Sequence, residues 1–187
     1  YWNHPVLGEI PSEYFIKQAE EMSLMIKLDE YVLKMACEKL NEIKEAKLID
    51  GLSIAVNISN SHMKRKNFVK NLCDILEKYN ISNGEIEIEL TDDIDIKNIT
   101  EYKYMFESLK NSGANIIINN LQVKHEAITL IKTLPIDKIK LVSKYVSKDS
   151  QIGKEILKDI IVLAKDLEYK VIVICVDEDR ELEYAIR

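Results

Sequence analysis

Apolar and polar side chains alternate in four short runs. Residues 53–58 (SIAVNI), 85–90 (EIEIEL), 115–120 (NIIINN) and 138–142 (KIKLV) each send every second side chain to one face, the period of a strand. Residues 169–176, apolar apart from Lys170, add a fifth strand. Between these runs the period becomes helical. Val32, Leu33, Ala36, Cys37, Leu40 and Ile43 mark a helix over 29–46, with Asp29 as its cap. Phe68, Leu72, Ile75 and Leu76 mark one over 61–79. Shorter helices are predicted over 12–22, 99–112, 152–167 and 178–187, with another of about three turns before Pro135. Gly113 is a helix terminator. Asp50-Gly51 and Asn83-Gly84 are turns. Residues 1–12, punctuated by Pro5, Gly8 and Pro11, read as loop.

Five strands alternating with helices imply an α/β fold with a parallel sheet and helices outside it. Ile54, Val56, Ile58, Ile86, Ile88, Leu90, Ile116, Ile118, Ile139 and Leu141 form one apolar set suited to helix packing. The opposite set is mostly polar: Ser53, Ala55, Asn57, then Glu85, Glu87, Glu89, then Asn115, Ile117, Asn119, and finally Lys138 and Lys140. A doubly wound sheet would want apolar residues on both faces. A polar second face fits the lumen of a barrel, with polar groups gathered at the strand C-termini. An open sheet with one wet face is the alternative. Glu89 and Lys140 lie towards those C-termini, and Asn119 and Asn120 stand where their strand ends.

Composition narrows the picture. The chain has 187 residues, 47% of them apolar and 31% charged, enough for one domain with a core. Its net charge of -6 argues against non-specific nucleic-acid binding. No apolar run approaches the roughly 20 residues of a membrane span, and no signal-peptide pattern opens the chain. Three dispersed cysteines, Cys37, Cys73 and Cys175, form no zinc pattern and fit a reducing cytoplasm. A first residue Tyr1 and a helical pattern running out at Arg187 read as a piece of a longer protein, one domain over 1–187 truncated at both ends.

The segments WNHPVLGEIPSEYFIKQAE, LDEYVLKMAC, IAVNIS, EIELTD and LPIDKIKLV, in this order and spacing, resemble the EAL domain, a family of bacterial cyclic di-GMP phosphodiesterases and inactive relatives. The resemblance implies a TIM-type (β/α)8 barrel, of which about five strands are visible here, with its site at the strand C-termini. In active members two Mg or Mn ions activate water against one phosphodiester of cyclic di-GMP. Carried onto this chain, Asn57 and Glu89 match metal-binding positions and Asp92 stands where a Glu is usual. Lys140 matches the lysine that positions the attacking water. Asn119 and Asn120 replace an Asp pair, and the glycine-bearing loop after it is Leu121, Gln122, Val123, Lys124 and His125. Val142 replaces an Asp and Ile174 a Glu, with Asp177 as the last acidic position. Tyr1 replaces an Arg that contacts nucleotide, and the signature Glu-Ala-Leu would precede it. One carboxylate left at a metal-binding position, Glu89, does not supply the charge that two hard cations require. Glu89 is then expected to serve Lys140 as the partner of a structural ion pair, in the vestige of a site that also holds Asn57, Asn119, Asn120 and Asp177.

The other conspicuous residues have plainer readings. His4 is expected to belong to the His-Pro turn, and His125 to sit at the surface where a helix opens. Glu85 is expected to be solvated, with only Glu89 reaching the site. Lys64, Arg65 and Lys66 read as a solvated run at a helix start, and Tyr102, Tyr104 and Phe106 as packing. Three functions follow from the resemblance. The first is a non-catalytic regulatory module acting through protein contacts, as a homodimer or with other signalling domains of the same protein. The second is a receptor that binds cyclic di-GMP without cutting it. The third is a phosphodiesterase with weakened metal affinity. Lost glycines and Tyr1 count against the second, because phosphate binding favours Arg and flexible backbone amides. Five strands do not close an eight-stranded barrel, so the unpaired edges need further strands or a partner.

Overall fold

The computed structural model describes residues 1–47, 49, 51–91, 94–121, 125–142 and 151–174. Its main feature is a five-stranded parallel sheet of β3 (Ile54–Asn57), β4 (Ile86–Thr91), β5 (Asn115–Asn119), β6 (Lys138–Val142) and β7 (Lys170–Ile174). Each strand lies beside its successor in sequence, with no reversal of order. A doubly wound sheet reverses at a switch point, whereas a barrel steps in one direction. The observed order is that of consecutive steps of a TIM-like barrel.

Helices link the strands. They are α1 (Ser12–Glu21), α2 (Met25–Glu45), α3 (Asn60–Met63), α4 (Phe68–Lys78), α5 (Ile99–Asn111), α6 (His125–Thr133) and α7 (Gln151–Asp166), with a single 3-10 turn (Ile96–Asn98) ahead of α5. α2 packs on β3, α5 on β5 and α7 on β7, and neighbouring helices touch one another. One face of each strand feeds the core: Val56, Ile86, Ile88, Leu90, Ile116, Ile118, Ile139 and Leu141 are buried with Leu33, Leu40, Phe68, Leu72, Phe106 and Leu109 from the helices. Burial of such apolar surface, about 25 cal/mol per Å², is what holds the helical layer to the sheet.

Short polar anchors set the register. The carboxylate of Asp137, ahead of β6, accepts from the backbone N–H of Ile116 at 2.8 Å and from Lys110 at 2.7 Å, tying the starts of β5 and β6 together. Gly113 ends α5 with φ +90°, and a Cβ there would run into the side chain of Asn83. That approach lets its carbonyl accept from the Gly84 N–H at 2.8 Å. A side chain at this position would meet both the backbone penalty and the clash.

Four local expectations change. Residues 1–12 are not all loop: β1 (Trp2–His4) and β2 (Gly8–Ile10) form an antiparallel hairpin. Its strands are too short for alternation to show, and Pro5 and Gly8 punctuate the turn instead of excluding strands. His4 Nδ1 accepts from the N–H groups of Val6 and Leu7 at 3.2 and 3.1 Å, closing that turn. The second helix begins at Met25, four residues before Asp29, so Asp29 is not its cap. The helix over 61–79 is broken into α3 and α4, because Lys64–Asn67 offers three adjacent cations and no apolar residue to hold a turn against the core. Asn120 falls outside β5, with φ +58°. The helix over 178–187, with Asp92, Asp177 and Cys175, lies outside the described residues.

Candidate functional site

The second face of the sheet carries a lattice of polar side chains. Lys140 of β6 pairs with Glu89 Oε1 of β4, reaching across β5. Asn119 of β5 donates from Nδ2 to the other oxygen of Glu89 at 3.1 Å. Both carboxylate oxygens of Glu89 are therefore taken by N–H donors from this chain. Only 5% of the Glu89 side chain is exposed, against 20% for Lys140, so the acid is buried and the lysine tip is partly wet.

Two residues lower on both strands the arrangement repeats. Lys138 pairs with Glu87 Oε1 at 2.6 Å, and Ser53 Oγ donates to the same oxygen at 2.7 Å. Glu87 is buried as deeply as Glu89. Strand alternation puts 87 with 89 and 138 with 140, so parallel strands bring both pairs together. Ile117 lies between the two pairs on β5, 1% exposed amid their polar groups. Glu85 is not simply solvated either. It is half-buried, pairs with Lys44 at 2.9 Å and accepts from the N–H of Ser82 at 2.6 Å.

Asn57 ends β3 level with Glu89 and is exposed. It lines a cleft of about 810 Å³ with Asp29, Ser59, Asn60, Arg65 and Thr91. Asn60 donates to Thr91 Oγ1 at 3.2 Å. Asn119 is half-buried, whereas Asn120 is exposed and turned off the strand. The Asn pair is thus split: one amide joins the lattice and the other faces solvent. Asn119 Oδ1 and Asn60 Oδ1 are buried without a hydrogen-bond partner. Ile174 pairs in register with Val142 on the neighbouring strand and offers no donor to this face.

Two residues that the sequence pattern did not assign to the site shape the rim. Asp29, 5% exposed, accepts from the Ser59 N–H at 2.9 Å and from Ser59 Oγ at 2.6 Å. Ser59 in turn caps α3 by accepting from the His62 N–H. Asp29 thereby fixes the chain two residues beyond Asn57. His62 is also buried, its Nδ1 3.4 Å from Asp29 Oδ2 and its ring edge-on to Phe68. A signal for Asp29 existed: it falls on the stripe of Leu33, Cys37 and Leu40, where a lone acid needs a buried partner.

The donor set can be compared with what a pair of divalent cations needs. Hard cations take several anionic oxygens at once. Here Glu89 already serves a lysine and an amide, and Asn119 shows it an N–H. Among the described residues no group of three His, Cys, Asp or Glu side chains converges on a point. The described face does not fit a two-ion centre.

Comparison with known proteins now places the chain. The EAL domain model matches residues 1–187, and the chain belongs to the EAL domain family. It is 28% identical over 185 residues to cyclic di-GMP phosphodiesterase NbdA of Pseudomonas aeruginosa, covering 98% of this chain and 24% of that protein. It is 27% identical over 191 residues to an uncharacterized protein of Mycobacterium tuberculosis, covering 100% of this chain and 30% of that one. The chain thus spans less than a third of these relatives. Among solved structures, the PaMucR phosphodiesterase in its c-di-GMP complex superposes with a TM-score of 0.84 at 21% identity, over 100% of this chain and 76% of that one. The FimX EAL domain of Pseudomonas aeruginosa bound to c-di-GMP gives 0.80 at 18% identity, over 97% and 73%. At such identities the likeness is one of fold, a TIM-like barrel. No helix among the described residues is long and apolar enough to cross a membrane.

Proposed function

We propose that this chain is a non-catalytic EAL module of cyclic di-GMP signalling, one that acts through contacts with other domains or a second copy. The observation that carries this is the state of Glu89. Its oxygens bond to Lys140 and Asn119, so a cation would have to displace a lysine charge and turn an amide before gaining a single anionic ligand. The replacements at Asn119, Asn120, Val142 and Ile174 point the same way. Lys140, freed from positioning water, is a structural cation. The test is hydrolysis of cyclic di-GMP by the full-length protein with Mg or Mn. No linear dinucleotide above background is expected; robust metal-dependent hydrolysis overturns the reading in favour of a surviving phosphodiesterase.

A second reading has its own support. Asn57 and Asn60 line a cleft of about 810 Å³, large enough for a dinucleotide, Asn60 Oδ1 has no hydrogen-bond partner, and structural neighbours carry c-di-GMP. The chain would then be a receptor that holds cyclic di-GMP intact. Calorimetry on the full-length protein separates the two: heat that saturates favours the receptor, and none at high micromolar ligand leaves the protein-contact module.

A further inference from the structure

Charge is unevenly spread over this acidic chain. Despite a net charge of -6, Lys27, Lys64, Arg65 and Lys66 gather around one cleft of about 680 Å³. It lies between the α1–α2 junction, which gives Ser23, Ile26 and Lys27, and the turn joining α3 to α4. No acid lines it. All four cations are exposed, and none has an ion-pair partner among the described residues. A solvated run explains that exposure. It does not explain His62, which lines the same cleft while only 3% exposed. Its Nδ1 lies 3.4 Å from Asp29 Oδ2, and neither of its ring nitrogens has a hydrogen-bond partner. A buried ring nitrogen without a partner is a cost that a bound oxygen removes.

We infer that this cleft binds the phosphoryl group of a small phosphorylated molecule. A phosphoryl group brings several acceptor oxygens and more than one negative charge. That matches a guanidinium fork, lysine point charges and one imidazole donor better than a carboxylate does. The cleft is larger than one phosphate, so the ligand has a body. Ile26 supplies an apolar wall, and Asn67 and Asn71, at the start of α4, supply amides. A long polyanion is disfavoured, because it would meet the acidic remainder of the chain. Arg65 also lines the larger cleft beside Asn57, so a ligand in either cleft competes for its guanidinium.

The probe is pyrophosphate, titrated into the full-length protein at constant ionic strength and followed by nitrogen NMR of imidazole and guanidinium groups. A saturable shift at His62 Nε2 and Arg65 Nε is expected. A variant carrying Lys64→Ala, Arg65→Ala and Lys66→Ala, all at exposed positions outside the core, should bind about tenfold more weakly or worse. A linear, non-saturating response overturns the site, as does a triple variant that titrates like the parent. Sedimentation with phosphatidic-acid vesicles that pyrophosphate does not displace also overturns it, assigning the patch to a membrane surface instead. Cyclic di-GMP enters none of these measurements, so their outcome is separate from that of the proposed function.

Discussion

The two faces of the sheet are built by different forces. The helix-covered face carries Ile86, Ile88, Leu90, Ile116, Ile118, Ile139 and Leu141, all fully or nearly fully buried. On the other face, among the described residues, Ile117 is the apolar side chain buried to the same degree, and order comes from Lys138–Glu87 and Lys140–Glu89. Burial of apolar area is non-directional and tolerates neighbours of similar size. Ion pairs are directional and fail when one partner is lost. The lower pair lies deeper along the strands than any residue expected to meet a ligand. The upper pair repeats the cross-strand pairing one step nearer the mouth. The third partner differs: the Ser53 hydroxyl shares the oxygen of Glu87 that Lys138 holds, whereas the Asn119 amide takes the second oxygen of Glu89.

The comparison can be broken first on the apolar face. Ile88→Ala should cost about 3–4 kcal/mol in urea unfolding, because the site is closed on all sides and cannot collapse. On the other face Glu87→Ala and Glu89→Ala should each cost about 2–3 kcal/mol, somewhat below a wholly buried pair because both lysines are about a fifth exposed. If the upper pair is as structural as the lower, these two costs agree within about 1 kcal/mol. A much smaller cost at Glu89 would mark it as reserved for a ligand. Replacing the whole upper pair, Glu89→Leu with Lys140→Met, should recover most of the loss, since apolar groups of similar volume leave no charge unpaired.

How much of this was legible follows from the same contrast. The apolar face announces itself in EIEIEL and NIIINN, because burial demands alternation whatever the neighbours are. The Lys140–Glu89 pair follows from one argument, that a lysine among lost carboxylates needs an anion. Glu87–Lys138 was within reach of that argument, since 87 and 138 stand two residues before 89 and 140, yet attention to the strand ends, where a ligand is handled, passed over it. The hairpin of β1 and β2 was hidden by its own turn residues. Asp29 and His62 were hidden because their partners, Ser59 and one another, come from segments thirty residues apart whose approach depends on how α2 packs on β3. Pairwise contacts across elements are set by packing, and no local period encodes them.

A smaller effect sharpens the account of the polar face. A ligand that binds only the folded state raises the melting temperature. With Glu89 engaged, millimolar Mg or Mn should leave the melting temperature of the full-length protein unchanged. A rise that vanishes in Asn57→Ala would show a cation seated at the strand ends. Lys140→Ala is the informative control: it frees Glu89, and any cation response appearing only there would identify the lysine as the resident charge of the site.

The smallest effect belongs to the helix layer and tests how dry it is. Cys37 sits on the buried stripe of α2, wholly inaccessible, and burial pushes its thiol from 9.0 up to about 11. The folded chain therefore keeps a proton that the unfolded chain releases first. The stability tied to this proton is fully present below the ordinary thiol value and is lost as pH rises from 9.0 to about 11. Tyr102 and Tyr169 are also held high by burial, so the raw pH profile mixes several groups. The difference between the parent and Cys37→Ala isolates the thiol: the parent should lose more stability across that window. Alkylation gives the same contrast by rate. Half-buried Cys73 should be modified in the native protein, whereas Cys37 should react only as the domain unfolds, because burial disfavours the thiolate that attacks the reagent. A native-state reaction at Cys37 would mean that α2 opens from β3 locally, and Asp29 on the same helix would then be a hinge for the Asn57 rim.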